Sequence, residues 1–318
     1  MISAFSIDDK KSNIARIISE HRSEYILGFQ NNDIQQISKL SLKNQLYYIG
    51  DFIKYSVTNN SISNIELLPR KNVICKSSNT TKKSYNFSEY NQILATNVDQ
   101  LFIFIPLDKN FSLSKIERYI LVFSQQNVDV TIVLSKKDLF SNYKEYLSQV
   151  KQLYPKINIC PISLYDELSI KEFKKLLIPG KTGLFIGSSG AGKSSLLNHL
   201  QTNYKARVNN VRNDYKGKHT TTSSLIIFCP EIEYNIIDTP GFKSIDTTLD
   251  IDKKILFEEI EEYAKYCKFN DCLHLTEPKC AVKEAVNNNI IRPEILERYH
   301  YNIKKLELLS KRRKNWRL

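Results

Sequence analysis

The sequence of 318 residues contains no long hydrophobic run. Its longest candidate is the stretch L-F-I-F-I at 101–105, whereas a membrane-spanning helix needs about 18 largely apolar residues in succession. An apolar signal-peptide core is also missing, because Asp8, Asp9, Lys10 and Lys11 interrupt the N-terminus. These absences argue against a membrane-spanning protein and lead us to expect a cytoplasmic location with no membrane partner.

Cysteine is scarce, and the six cysteines fall into two groups. Three are isolated near the ends of predicted strands, and we expect them to be reduced, buried or inert, since disulfides are rare in the cytosol; they are Cys75, Cys160 and Cys229. The other three lie close to one histidine, in the set Cys267, Cys272, His274 and Cys280. Three thiolates and one imidazole form the tetrahedral ligand set of a structural Zn²⁺. A chance cluster of Cys and His is the alternative.

Acidic residues are too few to balance the basic ones, and the net charge is +12. The excess is concentrated at the end of the chain, where residues 298–318 hold eight Lys and Arg against one Glu. Such a basic segment favours a polyanionic partner such as RNA. A solvated basic helix is the alternative, and charge alone does not decide between them. The length allows about two or three domains.

The segment 187–194 reads G-S-S-G-A-G-K-S and matches the P-loop pattern G-x-x-x-x-G-K-S. The apolar run before it predicts a buried strand, and the apolar spacing after it predicts a helix. Glycines let backbone N–H groups point at phosphate oxygens, and the helix N-terminus adds partial positive charge. We predict phosphate binding by Gly187, Ser188, Ser189, Gly190, Ala191, Gly192, Lys193, Ser194 and Ser195. Lys193 would reach the terminal phosphates, and the Ser194 hydroxyl would ligate Mg²⁺. A simple glycine turn is the alternative.

Three further motifs predict guanine and Mg²⁺ binding. The sequence S-K-K-D at 135–138 ends a predicted strand, and the Asp138 carboxylate can accept two hydrogen bonds that guanine donates and adenine does not. The sequence D-T-P-G at 238–241 ends another strand, which places Asp238 near Mg²⁺ and the N–H of Gly241 near the terminal phosphate. The polar loop G-K-H-T-T-T supplies Thr221 to the Mg²⁺ shell. Each motif alone could be a plain strand-to-loop turn, but together they predict a GTPase.

The N-terminal part, residues 1–75, is predicted to be a small β domain. Its apolar runs predict strands at 14–18, 25–29, 46–49, 52–57 and 62–67, separated by turn residues. A small barrel such as the OB-fold, which often binds RNA, has about this number of strands. Any other small β domain is the alternative.

The rest of the chain divides into three predicted parts. Residues 76–92 are polar and rich in Ser, Asn, Thr and Lys, so we predict a linker there. Residues 93–245 alternate between strands and helices, which predicts an α/β domain with a mostly parallel sheet. Residues 246–318 have helical periodicity around the Cys and His cluster. We therefore predict a multidomain protein, with a β-barrel, an α/β P-loop GTPase domain and an α-helical zinc-binding domain.

The order of the motifs is unusual for a GTPase. Ordinary GTPases place K-x-D after the P-loop, whereas here it comes first, so the GTPase domain is predicted to be circularly permuted. With N-V-D-Q at 97–100, D-T-P-G-F at 238–242 and the Cys and His spacing, almost the whole chain closely resembles one family. This is the family of permuted GTPases called ribosome small subunit-dependent GTPase A (RsgA, also YjeQ or YloQ).

The resemblance implies an OB-fold, a permuted GTPase domain that binds GTP or GDP with Mg²⁺, and a helical domain with one Zn²⁺. It also implies a GTPase that assists late maturation of the small ribosomal subunit and binds its rRNA. On the guanine side it adds Ser135, Lys136, Lys137 and Ser163 to Asp138. The chain departs from the family pattern there, since Ser135 replaces Asn or Thr and Ser163-Leu164 replaces Ser-Ala. The basic stretch common before Gly50-Asp51 is also missing.

Hydrolysis is predicted to be slow without a partner. Many GTPases place a water-orienting Gln after D-x-x-G, and this chain has Phe242. His219 matches a family histidine and is our candidate catalytic residue, with a solvated loop histidine as the alternative. The leading hypothesis is a monomeric GTP hydrolase stimulated by the small subunit. The alternatives are a nucleotide-gated RNA-binding assembly factor in which hydrolysis is incidental, and a P-loop ATPase.

Overall fold

The structure is a computed structural model that describes residues 13–29, 33–42, 45–58, 61–77, 91–108, 111–201, 224–239 and 253–314. The strands are β1 (Ile14–Glu20), β2 (Glu24–Phe29), β3 (Ile34–Ser38), β4 (Phe52–Thr58), β5 (Ser61–Leu67), β6 (Val73–Ser77), β7 (Asn91–Thr96), β8 (Gln100–Pro106), β9 (Asp129–Ser135), β10 (Asn158–Ile162), β11 (Thr182–Gly187), β12 (Leu225–Cys229) and β13 (Tyr234–Asp238). The helices are α1 (Leu113–Phe123), α2 (Tyr143–Leu153), α3 (Glu167–Lys175), α4 (Lys193–Leu200), α5 (Lys254–Ala264), α6 (Ala281–Asn287) and α7 (Pro293–Lys314).

The first five strands form a curled antiparallel sheet in the order β3-β2-β1-β4-β5. Strand β1 lies between β2 and β4 in this sheet, and a small apolar core packs against its residues. That core contains the apolar side chains of alternate residues such as Ala15 and Ile17, with Leu27 and Tyr47 packed against them. The arrangement confirms a strand-rich N-terminal domain and agrees with a five-stranded, partly open barrel.

The central sheet has the strand order β10-β9-β8-β11-β13-β12. The first five strands of this path, β10, β9, β8, β11 and β13, are parallel to one another. Strand β12 runs antiparallel to its neighbour β13. Side chains alternate between the two faces of a strand, so Ile103 and Ile105 enter one core while Phe102 and Phe104 enter the other. The two cores confirm a central α/β domain with helices on both faces.

The two cores differ in the helices that cover them. Helices α3 and α4 cover the phenylalanine face, where Phe173 and Leu197 are fully buried. Helices α1 and α2 cover the isoleucine face, which extends into the C-terminal region through Ile260 of α5 and Ile291 between α6 and α7. The C-terminal helical region therefore shares a continuous apolar core with the α/β domain.

The N-terminal sheet joins the central sheet along one edge. Ser19 of β1 pairs with Leu225 of β12, and the Ser19 hydroxyl donates a hydrogen bond to the Ser224 carbonyl at 3.0 Å. Arg16 of the same strand is buried, and its Nη1 donates to Thr182 Oγ1 at 2.9 Å. The N-terminal domain thus contacts both β12 and the beginning of β11.

Several details differ from the predictions. The predicted strand at 46–49 is wrong, since this stretch is an irregular segment and turn in which the Tyr48 N–H donates to the Asp51 carboxylate at 2.8 Å. Strands β3, β6 and β7 and helix α6 were not predicted. The predicted linker at 76–92 overlaps the ends of β6 and β7, which pair with each other, and its residues 78–90 lie outside the described residues. No helix within the described ranges is long and apolar enough to cross a membrane.

Candidate nucleotide site and metal centre

The P-loop connects β11 to α4 and depends on glycine at three positions. Gly187 has φ of 147°, and a Cβ there would lie 2.4 Å from the backbone oxygen of Phe104 on the neighbouring strand. Gly190 and Gly192 have φ of 75° and 89°, in the left-handed region that other residues rarely adopt. A side chain would therefore strain all three positions, and at Gly187 it would also collide with β8.

Lys193 begins α4 and is buried, with 6% of its surface exposed. Its Nζ donates hydrogen bonds to the carbonyl oxygens of Gly187 at 2.9 Å and Ser188 at 3.1 Å. Burial lowers the pKa of Lys193, and the charge of Asp238 acts in the opposite direction. The ammonium group is thus held across the loop by weak acceptors, which a more strongly charged phosphate oxygen could replace.

Oxygen ligands suited to Mg²⁺ come from two elements at the same edge of the sheet. Asp238 ends β13 and pairs in register with Phe185 of β11, just before the P-loop, while Ser194 lies in the first turn of α4. Thr239 connects the end of β13 to β11, since its hydroxyl donates a hydrogen bond to the Phe185 carbonyl at 3.1 Å. Hydroxyl and carboxylate oxygens are the ligands that Mg²⁺ prefers. Thr221, Gly241 and His219, which were also predicted for this site, lie outside the described residues.

The guanine motif lies at the ends of β9 and β10. These strands are parallel, and Ser135 pairs in register with Ile162, so the loops that follow are neighbours. Lys136 adopts a left-handed conformation with φ of 60°, and a short 3-10 turn at Lys137–Leu139 follows. This turn leaves Asp138 exposed, where its carboxylate is accessible to a base.

An ion pair joins the two guanine-side loops. Lys137 Nζ lies 2.6 Å from Asp166 Oδ2, and this interaction lowers the pKa of Asp166. Asp166 also caps α3 by accepting hydrogen bonds from the N–H groups of Leu168 and Ser169. One carboxylate therefore fixes the start of α3 and the K-x-D turn together. Sequence reasoning missed this pair because Lys137 occupies the variable position of the motif.

Two buried serines support the same region. Ser163 is buried, and its backbone N–H and carbonyl both bond to the Ser169 hydroxyl, at 3.1 and 2.9 Å. Ser135 is also buried, but its hydroxyl has no hydrogen-bond partner among the residues that the structure describes. The opening residue of the S-K-K-D motif therefore makes no side-chain hydrogen bond that would support the loop within the described part of the chain.

The Cys and His cluster predicted from the sequence is assembled in space. One potential ligand atom from each of the four residues lies within 4.8 Å of the others, in the set Cys267, Cys272, His274 and Cys280. The Sγ atoms of Cys267 and Cys280 are 3.9 Å apart, and Nδ1 of His274 is 3.4 Å from Cys280 Sγ. Burial lowers the pKa of His274, which favours the neutral imidazole. These spacings and donor types fit a tetrahedral Zn²⁺ site.

The N-V-D-Q segment at 97–100 lies at the opposite end of the parallel strands from the P-loop. Asn97 connects to the N-terminal domain, since its Nδ2 donates to the Gly50 carbonyl at 2.9 Å. Asp99 accepts a hydrogen bond from the Thr182 N–H at 2.9 Å and pairs with Lys71 at 2.7 Å. The segment therefore joins the N-terminal domain to the first residue of the P-loop strand.

These features define a class of protein. A parallel α/β sheet carries a glycine-rich phosphate loop between strand and helix, and the S-K-K-D strand comes before this loop in the chain. The D-T-P-G strand follows it and lies beside it in the sheet. The chain is thus a P-loop protein with the motifs of a GTPase in circularly permuted order.

Comparison with known proteins gives the family. Residues 67–248, more than half of the chain, match the model of the RsgA GTPase family. A relative from Vibrio parahaemolyticus called "Small ribosomal subunit biogenesis GTPase RsgA 2" is 34% identical over 298 residues, which are 92% of this chain and 80% of the relative. A relative from Xanthomonas oryzae pv. oryzae called "Small ribosomal subunit biogenesis GTPase RsgA" is 34% identical over 239 residues, 74% of this chain and 64% of the relative. The chain belongs to the RsgA GTPase family.

Solved structures agree with the fold. The crystal structure of YjeQ from Thermotoga maritima superimposes with a TM-score of 0.63 at 24% identity and covers 94% of this chain and 98% of its own. The structure of YloQ, described as a circularly permuted GTPase, has a TM-score of 0.61 at 23% identity and covers 96% of each chain. Both similarities extend across the N-terminal, central and C-terminal parts.

Proposed function

We propose that this protein hydrolyses GTP and uses its nucleotide state to time its binding to the small ribosomal subunit during late maturation. The observation that carries this proposal is the assembled P-loop, with Lys193 and Asp238 at one sheet edge, in a chain of the RsgA GTPase family. The names of its relatives, which mention small ribosomal subunit biogenesis, support the partner. Work on such a subunit would place the protein in the cytoplasm in contact with rRNA, and we predict that it acts as a monomer.

The chemistry follows from what the chain's own groups would do. Backbone N–H groups of residues 187–195 and the Lys193 ammonium would bind the phosphates and stabilise the charge that develops on them. Ser194, Asp238 and Thr221 would hold Mg²⁺, which neutralises charge on the terminal phosphates when bound. The N–H of Gly241 would contact the terminal phosphate. Ser135, Lys136, Lys137, Asp138 and Ser163 would form the guanine pocket.

His219 is our candidate for orienting the attacking water. The position after D-T-P-G carries Phe242, whose side chain makes no hydrogen bond to water. An imidazole near neutral pH can accept a proton or hold a water. The test is hydrolysis by His219→Ala and by the unmutated protein at matched GTP occupancy, with and without purified small subunits. We expect the subunit to stimulate the unmutated protein strongly and the variant weakly.

The same experiment separates the candidate functions. Full stimulation of the alanine variant would remove His219 from catalysis, and no stimulation of the unmutated protein would contradict activation by the subunit. If a variant that binds GTP without hydrolysing it still supports subunit maturation, the protein is a nucleotide-gated assembly factor instead. Equal affinity for ATP and GTP would indicate a P-loop ATPase.

Base choice is proposed to depend on Asp138. Replacing Asp138 with Asn exchanges one acceptor for a donor, which suits xanthine better than guanine. Losing one hydrogen bond to a charged acceptor, and placing two donors opposite each other, should weaken GTP binding by at least about 10-fold, and XTP binding should improve. Affinities for GTP and XTP measured by calorimetry test this. Unchanged GTP affinity in Asp138→Asn would show that this carboxylate is outside the base pocket.

We also propose that the Cys and His cluster holds one structural Zn²⁺. All four positions would be filled by protein groups, which leaves none for a reacting water. Cys280 is also the N-cap of α6, where its Sγ accepts a hydrogen bond from the Lys283 N–H at 3.5 Å, so the cluster is continuous with the start of that helix. Metal analysis of protein purified without chelator should give one zinc per chain, and protein without zinc would overturn the proposal.

A further inference from the structure

Tyr165 is an exposed aromatic residue on a backbone that is fixed on both sides. Its ring is almost fully in solvent, with 91% of the residue exposed. On one side, its N–H donates a hydrogen bond to the Ser163 hydroxyl at 3.1 Å. On the other side, Asp166 caps α3 and pairs with Lys137 at 2.6 Å. The backbone that carries this ring therefore needs little further ordering when a ligand binds.

The position of Tyr165 points to the ligand. Strands β9 and β10 are parallel neighbours with Ser135 opposite Ile162, so the loops after them leave the same sheet edge. The ion pair then joins Asp166, which directly follows Tyr165, to Lys137, which directly precedes Asp138. Tyr165 and Asp138 are therefore each the sequence neighbour of one partner in a 2.6 Å ion pair. Both side chains are exposed.

We propose that Tyr165 stacks on the face of the purine base whose edge Asp138 recognises. This inference rests on the proposed guanine site. Hydrogen bonds to the edge of a base leave its two faces uncovered, and an aromatic ring is the side chain that covers such a face best. Stacking does not distinguish one purine from another, so Tyr165 contributes affinity while Asp138 selects the base.

The test compares nucleotides that have a base with a ligand that has none. Calorimetry gives the affinities of GDP and of ribose 5-triphosphate for the unmutated protein, Tyr165→Ala and Tyr165→Phe. We expect Tyr165→Ala to bind GDP about 5- to 20-fold more weakly, and Tyr165→Phe to bind it normally, because the phenyl ring retains the stacking face. Ribose 5-triphosphate should bind all three equally. The matched control is Leu168→Ala, which removes an apolar side chain from a nearby residue that is 71% exposed and should leave GDP binding unchanged.

A fluorescence measurement reports stacking directly. The chain has a single tryptophan, Trp316, so Tyr165→Trp in a Trp316→Phe background places the only indole at this site. GDP should quench its emission and ribose 5-triphosphate should not. The proposal is overturned if Tyr165→Ala binds GDP as tightly as the unmutated protein does. It is also overturned if Tyr165→Ala weakens the binding of ribose 5-triphosphate as much as it weakens the binding of GDP. A Tyr165→Ala variant in which only stimulation by small subunits falls would overturn it as well, since the ring would then be a docking contact.

The outcome for Asp138→Asn separates this inference from the proposed function. If Asp138→Asn exchanges GTP for XTP while Tyr165→Ala binds GDP normally, the guanine site stands and stacking by Tyr165 is wrong. If Asp138→Asn binds GTP normally, the guanine site itself is wrong. If both proposals hold, adding Tyr165→Ala to Asp138→Asn should weaken XTP binding by the same factor as it weakens GDP binding in the unmutated background.

Discussion

The contact between α1 and α7 depends on one buried carboxylate, and its counter-charge can be removed. Glu117 is fully buried, and it accepts hydrogen bonds from Arg298 Nε at 2.6 Å and Asn302 Nδ2 at 3.0 Å. The Tyr154 hydroxyl donates to the same carboxylate. The substitution Arg298→Ala would leave this carboxylate inside the protein with neutral donors only.

The expected loss of stability follows from the burial of the pair. Removing one partner of a buried ion pair costs about 3–5 kcal/mol, since the remaining charge is left without compensation. Arg298 keeps 21% of its side chain exposed, and Asn302 and Tyr154 still donate to Glu117. We therefore expect the lower end of the range, about 3 kcal/mol. Adding Glu117→Gln to Arg298→Ala should restore about half of this loss or more, because a neutral amide needs no counter-charge.

Urea unfolding followed by far-ultraviolet circular dichroism measures these changes, because both residues lie on helices. The matched control is Lys156→Ala, which removes an ion pair with Glu258 whose side chains are 81% and 57% exposed, and it should leave the midpoint unchanged. If Arg298→Ala lowers the midpoint no more than Lys156→Ala does, the Glu117 network does not stabilise the contact. A double variant as unstable as Arg298→Ala alone would also refute the argument about uncompensated charge.

Three further predictions concern the P-loop, the thiols and the C-terminus. Gly187→Ala should lower the free energy of unfolding, measured with urea, by about 1–3 kcal/mol from the strained φ alone. It should also weaken GTP binding, measured by calorimetry, because the new Cβ collides with β8. Normal GTP binding would contradict the observed packing. Iodoacetamide should leave Cys160 and Cys229 unmodified at mildly alkaline pH, because burial raises their pKa values to about 11 and about 12. Mass spectrometry after treatment with a chelator should show new labelling only at the Cys and His cluster. Truncation after residue 310 should weaken binding to small subunits and flatten its dependence on salt, whereas an unchanged slope would exclude phosphate contacts by the removed segment.

The nucleotide loops could be predicted from the sequence because their requirements are local. The glycines of a phosphate loop, a lysine at the start of a helix and an aspartate at the end of a strand can each be recognised from the few residues around them. The helices and strands around the P-loop were predictable for the same reason, since their apolar spacing reports the face that is buried. The spacing of the cysteines and the histidine likewise identified the cluster that the structure assembles.

Features that depend on distant partners could not be predicted in this way. The sequence around Asp99 gives no local sign of its partner, since Thr182 is 83 residues away. Strand β3 was missed because it is an edge strand whose residues are mostly exposed, so its sequence lacks an apolar face. The stretch 46–49 has the apolar residues of a strand, but the hydrogen bond from Tyr48 to Asp51 holds it in a turn.

The contact between Arg16 and Thr182 has a consequence for the order of events during synthesis. The two residues are 166 positions apart, and the nearby pair Ser19 and Ser224 is 205 positions apart. At about 5–20 residues per second, Thr182 is made roughly 8–30 s after Arg16. The first five strands can pair with one another during this interval, but the guanidinium of Arg16 stays without its Thr182 partner. The nascent N-terminal domain can therefore reach its final packing only after both the P-loop strand and β12 have left the ribosome.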